Sequence, residues 1–260
     1  MSDFSNKSVI VTGGTKGVGF GIAQAFLQAG ARVFICGRNA PAQLPQGNGR
    51  QAEFIAADVR KPEESQQLID TVLQRSGRLD VLINNAGGSP PVKAADAPSK
   101  LTESIIRLNL IAPLVFSQQA YHALRKNENG GSIINIASIS GVRPSPGTAA
   151  YGAAKAGLIN VTRSLAQEWA ADKVRVNAII AGMIKTEASE DHYGGEKGIA
   201  LIEKSLPMGR MAVPADIANA CLLLAQDSSS YISGAALDVT GAGEPPMFLQ
   251  LAEQANALKQ

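Results

Sequence analysis

Short runs dense in β-branched and aliphatic residues recur along the chain, each separated from the next by a longer stretch with helical periodicity. The runs are SVIVT (8–12), ARVFIC (31–36), AEFIAA (52–57), DVLIN (80–84), GSIINIA (131–137), VRVNAII (174–180) and AALDV (235–239). They are nearly continuous in apolar residues rather than alternating with polar ones, the pattern of parallel strands covered on both faces. Segments 17–29, 62–76, 99–126, 150–171 and 214–226 read as helices, with Pro62 and Pro214 where a first helical turn tolerates proline. Strand–helix–strand units with right-handed crossovers build an open, doubly wound α/β sheet. No internal repeat or low-complexity linker interrupts the order, so one domain over 1–260 is expected. Two stretches are less regular, 183–213 and the tail 241–260. In the tail, Met247, Phe248, Leu249, Leu251 and Leu258 predict burial against this subunit or another.

Composition narrows the function classes. At 260 residues, 45% of them hydrophobic, the chain is long enough to bury a large core. Its 24 basic and 22 acidic residues form no long run, so neither nucleic acid nor an acidic membrane surface is an expected partner. No segment is apolar for long enough to span a bilayer. The N-terminal MSDFSNKSVIVTGG enters a strand pattern at once, leaving no room for an export signal. Cys36 and Cys221 fall inside apolar stretches and read as buried free thiols of a reducing compartment, so a cytoplasmic location is expected. With two histidines and no Cys-x-x-Cys pair, no metal site is expected.

Candidate chemistry begins where the first run enters TGGTKGVG (12–19). Gly13, Gly17 and Gly19 make a turn tight enough for a pyrophosphate to approach backbone N–H groups at a positive helix end. Thr15, Lys16 and Val18 complete this loop. Where many such chains carry an acid after the second strand to grip a ribose diol, this one has Gly37 and Arg38. Arg38 and Lys16 suit a 2′-phosphate, so NADP(H) is expected over NAD(H).

A second candidate is TAAYGAAKAGL (148–158), where Tyr151 and Lys155 stand one helical turn apart among alanines and glycines. An ammonium about 5 Å from a phenol, at an effective dielectric near 20, lowers its pKa by about two units. That would make Tyr151 a usable acid or base. Room for a cofactor against the helix would account for the small neighbours. Ser138 ends the fifth strand, at the edge where such sheets place ligands. No histidine and acid are arranged to make it a nucleophile.

Together TGGTKGVG, Asp58–Val59, NNAG (84–87), Asn109, Ser138 and YGAAK (151–155) resemble the short-chain dehydrogenase/reductase family over nearly the whole chain. The branch resembled contains 3-oxoacyl carrier-protein reductases and bacterial hydroxysteroid dehydrogenases. The resemblance implies a single-domain Rossmann fold with a seven-stranded parallel sheet in the order 3-2-1-4-5-6-7. Residues 1–135 would form the dinucleotide half and 136–240 the catalytic half. It implies an NADP(H)-dependent interconversion of a secondary alcohol and a ketone, with Tyr151 as general acid/base and Ser138 holding the substrate oxygen. Lys155 would bond the nicotinamide ribose, and Asn109 would hold a water linked to Lys155. Asp58 and Val59 would contact adenine, Asn85, Ala86 and Gly87 would lie along the nicotinamide ribose, and Ile184 and Thr186 would hold the carboxamide. The family's usual proline after the sixth strand is Ala181 here, which predicts a looser loop.

Substrate selection is expected from 87–94, 140–146 and the loop 183–205, hinged at Gly194–Gly195, with His192 and Tyr193 as candidate contacts. The substrate is expected to be largely apolar. The resemblance further implies a homotetramer. A dinucleotide-binding sensor or scaffold without turnover is the alternative, but such proteins usually lose the tyrosine or lysine kept here. Nucleotide-sugar epimerases and dehydratases generally carry a longer C-terminal region than this chain has.

Overall fold

All seven apolar runs pair into one parallel sheet in the computed structural model, which describes residues 3–187, 189 and 193–258. The strands are β1 (Ser8–Thr12), β2 (Arg32–Gly37), β3 (Glu53–Ala56), β4 (Val81–Asn84), β5 (Gly131–Ile136), β6 (Val174–Ala181) and β7 (Ala236–Val239). Their order is β3-β2-β1-β4-β5-β6-β7, as expected, and every pairing is parallel. This is the doubly wound Rossmann arrangement. Between the strands run α1 (Gly17–Gln28), α2 (Pro62–Ser76), α3 (Ser99–Ile106), α4 (Ala112–Leu124), α5 (Ala149–Trp169), α6 (Gly195–Ser205) and α7 (Pro214–Ala225), and α8 (Met247–Ala257) follows the last strand.

The continuous apolar strands are explained by two cores. Val9, Val11, Ile35 and Ile83 pack with Ile22 and Phe26 of α1 and Ile217 and Cys221 of α7. Ile10, Phe34, Leu82 and Val176 pack with Leu68 of α2, Phe116 of α4 and Leu165 of α5. Neighbouring side chains of a strand face opposite ways, so both parities must be apolar when both faces are covered. Cys36 and Cys221 are buried free thiols, and burial pushes both well above the usual thiol range.

The structure departs from the sequence reading at four places. The segment expected as one helix over 99–126 is interrupted by a π turn at Arg107–Ile111. Pro113 has no N–H to offer the Asn109 carbonyl, and the Ala112 N–H reaches back to the Arg107 carbonyl instead. Second, the irregular stretch 183–213 contains α6. Third, the tail forms a helix whose apolar residues are not buried on this subunit: Met247 is 73% and Phe248 70% exposed. A short hairpin, Gln46–Gly47 with Arg50–Gln51, also forms where no strand was expected.

A buried polar chain crosses the second core. Asn84 Nδ2 donates to Asn135 Oδ1 at 2.8 Å and to Ser117 Oγ at 2.9 Å, and Asn135 Nδ2 donates to Thr162 Oγ1 at 2.9 Å. These bonds tie β4 and β5 to α4 and α5, the elements that carry the strand ends discussed below. Asn135→Ala strands one partner on each side and should lower unfolding free energy by about 2 kcal/mol. Urea unfolding with an unchanged denaturant slope would show it; a midpoint like wild type would mean that the chain contributes no net stability.

Candidate functional site

Parallel pairing sends the ends of β1, β2, β4, β5 and β6 to one edge of the sheet, where their loops surround a cleft of about 760 Å³. Every residue expected to hold a dinucleotide lines it, and so does Ser138. Asn109 does not; it is fully buried at the wall formed by Gly87 and Gly88.

The glycine loop is set by backbone geometry and by one strut. Gly13 and Gly17 have φ of +64° and +54°, a region that side chains disfavour. A Cβ on Gly19 would lie 2.3 Å from the Gly13 carbonyl oxygen, so that position must be bare. Asn85 Nδ2 donates to the Thr12 carbonyl at 2.9 Å and the Gly13 carbonyl at 3.3 Å. Its N–H donates to Thr12 Oγ1 at 2.9 Å. Both amide donors of Asn85 thus bind the end of β1 to the end of β4.

At the far end of the cleft Arg38 and Lys16 are exposed, and neither takes part in an ion pair among the described residues. The Asp58 carboxylate, expected at adenine, is paired here with Arg60. Arg60 Nη2 lies 2.5 Å from Oδ2, and Nε donates to both oxygens at 2.9 and 3.1 Å. This pairing holds Asp58 below the usual carboxylate range. Arg60 and Glu187 are cleft residues that the sequence reading missed. Arg60 could have been suspected from its place two residues beyond Asp58. Glu187 gave no signal, because its contact, with Gly17 N–H at 2.8 Å, spans 170 residues.

The other end of the cleft holds the phenol. Ser138 is followed by a short 3₁₀ turn, Ile139–Gly141, that packs on α5. A Cβ on Gly152 would lie 2.8 Å from the Ser140 carbonyl oxygen, and one on Gly141 would lie 2.8 Å from the Ala156 nitrogen. The helix face stripped of bulk, read from sequence as room for a cofactor, therefore also admits the turn that carries Ser138. The Ser140 N–H donates to Ser138 Oγ at 3.2 Å, which leaves the serine hydroxyl proton for a partner within the cleft. Tyr193 lies close enough for its charge to oppose ionisation of Tyr151. His192 lies outside the described residues.

The expected lowering of the Tyr151 pKa is not what this geometry gives. Burial is the largest influence and raises the phenol above 10; the Ser138 hydrogen bond offsets it only in part. Lys155 Nζ lies 5.6 Å from the centroid of the Tyr151 ring and donates to the Ile136 carbonyl at 2.7 Å. Lys155 is only 4% exposed, and burial pushes its ammonium down to about 8. Burial of the phenol, rather than the ammonium beside it, decides the direction of the Tyr151 shift.

Asn109 sits in the π turn, where its Nδ2 donates to the Ile105 and Gly88 carbonyls, each at 2.9 Å, and its Oδ1 accepts from Gly88 N–H at 3.0 Å. A Cβ on Gly87 would lie 2.7 Å from Asn109 Oδ1 and 3.3 Å from Lys155 Nζ. The loop after β6, expected to be loose without its proline, is anchored by other bonds. Gly182 N–H donates to the Val239 carbonyl at 3.0 Å, and Lys185 N–H to the Ala212 carbonyl at 2.8 Å.

The depressed lysine has a thermodynamic consequence. An ammonium that is easier to deprotonate when folded destabilises the fold fully below pH about 8, and ceases to do so as pH rises toward 10.5. Wild type should therefore gain about 1–3 kcal/mol relative to Lys155→Met between about pH 7.5 and about pH 9.5 in urea unfolding. A difference that stays flat across that window would mean that Lys155 titrates as an ordinary lysine.

Similar proteins share this architecture. A family model described as enoyl-(acyl carrier protein) reductase matches residues 13–241. The 3-oxoacyl-[acyl-carrier-protein] reductase FabG of Chlamydia trachomatis is 37% identical over 242 residues, covering 91% of this chain and 96% of that one. Dehydrogenase/reductase SDR family member 4 of Caenorhabditis elegans is 34% identical over 249 residues, covering 92% and 95%. A crystal structure from Sinorhizobium meliloti 1021, assigned as a short-chain alcohol dehydrogenase, matches with a TM-score of 0.83 at 31% identity, covering 92% of this chain and 96% of that chain. With a shared fold and similarity along nearly its whole length, this chain belongs to the short-chain dehydrogenase/reductase family.

Proposed function

We propose that this oxidoreductase reduces a ketone to a secondary alcohol, and catalyses the reverse, with NADP(H) as cofactor and Tyr151 as general acid/base. The observation that carries the reading is that Ser138, Tyr151 and Lys155 line the same cleft as the glycine loop. Two hydroxyls lining one cleft can bind one carbonyl oxygen. Ser138 would donate to that oxygen and orient it. Tyr151, a phenol that burial makes harder still to ionise, would pass its proton to the oxygen as charge develops there. A phenol held neutral suits the reductive direction. Lys155, hydrogen-bonded to the Ile136 carbonyl beside Gly87, would position a ribose hydroxyl and sustain the proton path, with Asn109 behind it.

The residues present fit a dinucleotide. One N–H of the glycine loop, that of Gly17, already binds a carboxylate oxygen, so the donor set suits an anion such as pyrophosphate. Arg38 and Lys16 would take the 2′-phosphate, Asn85 through Gly87 would flank the nicotinamide ribose, and Ile184 and Thr186 would hold the carboxamide. When bound, the nicotinamide gives or takes the hydride. The likeness to a 3-oxoacyl-[acyl-carrier-protein] reductase makes a β-keto thioester the first substrate to test. Val142, exposed four residues beyond Ser138, supports a largely apolar substrate. The homotetramer and the cytoplasmic location belong to the same reading. The exposed apolar residues of α8 support an assembly in which another copy covers them, and no described helix is long and apolar enough to cross a membrane.

Two measurements test this function. Tyr151→Phe should lower kcat for ketone reduction by about a thousandfold while NADPH binding changes less than about threefold. Near-normal turnover in that variant would remove the mechanism. Arg38→Asp should shift the ratio of kcat/KM for NADPH over NADH toward NADH by at least about tenfold. A wild-type enzyme that already favours NADH would refute the cofactor assignment.

A further inference from the structure

Helix α1 starts without a cap of its own. Lys16, at its N-cap, makes no side-chain hydrogen bond there, and the first turn carries no acid. The Gly17 N–H is among the donors that a helix leaves without an internal partner. It donates to Glu187 Oε1 at 2.8 Å, a carboxylate brought from beyond the sixth strand. Glu187 is exposed, but the turn presenting it is pinned. Ser189, 3% exposed, accepts from Thr186 N–H through its Oγ at 2.8 Å, and its own N–H donates to the Thr186 carbonyl at 3.0 Å. Just before the turn, Ile184 bridges to Ala212. Gly17, Thr186 and Glu187 all line the cleft.

We propose that Glu187 competes with the pyrophosphate of the dinucleotide for the Gly17 N–H, so that an internal anion sets part of the cofactor affinity. The inference rests on the cofactor reading above. Charge-assisted acceptors of one N–H exclude each other: a carboxylate and a phosphate cannot both sit within hydrogen-bond distance of it without strong repulsion. Binding must therefore break the Glu187 contact, and the loss of that contact weakens binding. Because Glu187 is exposed, it can turn into solvent without disturbing either core, which makes it displaceable rather than structural.

The test is isothermal titration of the full chain with NADPH and with 2′-AMP, which carries the adenosine end but no pyrophosphate. Wild type, Glu187→Gln and Glu187→Ala are compared, with thermal melting to establish that each is folded. Both variants should bind NADPH about tenfold more tightly than wild type and bind 2′-AMP unchanged. Unchanged or weaker NADPH binding in both, with or without a lower Tm, would show that Glu187 only caps the helix and would overturn the proposal. Equal tightening for 2′-AMP would also overturn it, because the effect would then be general charge rather than competition at Gly17. If wild type and both variants bind no dinucleotide, the cofactor reading itself fails, an outcome distinct from unequal or equal binding among the three.

Discussion

A parallel sheet covered by helices on both faces has no free surface for polar chemistry. Both parities of the central strands are buried, most of their apolar residues in two large cores and Ala178 and Ile180 of β6 in a smaller third cluster. Inside the sheet a polar side chain must find a polar partner, as Asn135 does, so polar groups available for chemistry collect where strands end, and parallel pairing gathers those ends at one edge. Thr12, Asn84, Ile136 and Ala181 end four neighbouring strands. The cleft is the direct result of that constraint. Even its polar struts, such as Asn85 across the end of β1, are backbone-satisfying bonds that the strand ends would otherwise lack.

Burial acts on the site in a second way. It pushes Tyr151 up and Lys155 down, so both groups are driven toward their neutral forms. A simple pair of phenol and ammonium, each stabilising the other's charge, does not describe this geometry. The lysine is held by the neutral Ile136 carbonyl, and the Ser138 hydroxyl favours the ionised phenol less than burial opposes it. A lysine already aimed before charge develops can serve proton movement with little rearrangement.

Glycine serves two separate purposes here. In the loop after β1 the need is conformational, as the positive φ of Gly13 and Gly17 shows. At Gly152, Gly141 and Gly87 the need is spatial: a backbone or a functional atom already occupies the volume of a Cβ. The alanines and glycines around Tyr151 are thus a packing solution that lets the Ser138 turn reach the helix. They also leave the phenol lining an open cleft.

Much of this was legible in the amino-acid sequence because it depends on short range. A run such as SVIVT declares a doubly buried strand by its composition, and TGGTKGVG declares a tight turn into a helix. Tyr151 and Lys155 share a face because four residues make one helical turn. The order of the strands and most of the cleft residues came from the family resemblance that these motifs carry. The π turn at Asn109 was not legible, since it results from Pro113 withholding one N–H while Asn109 binds Gly88 across the fold. The helix in 195–205 opens on the Gly194–Gly195 pair, which reads as a hinge, and the tail helix lies beyond the last strand, so neither sits where the strand–helix alternation announces a helix. The tertiary structure alone decided the Glu187 contact with Gly17, the pairing of Asp58 with Arg60, and the direction of the Tyr151 shift. Proximity across 170 residues, and the depth at which a charge is buried, are properties of the packed chain, and no local pattern encodes them.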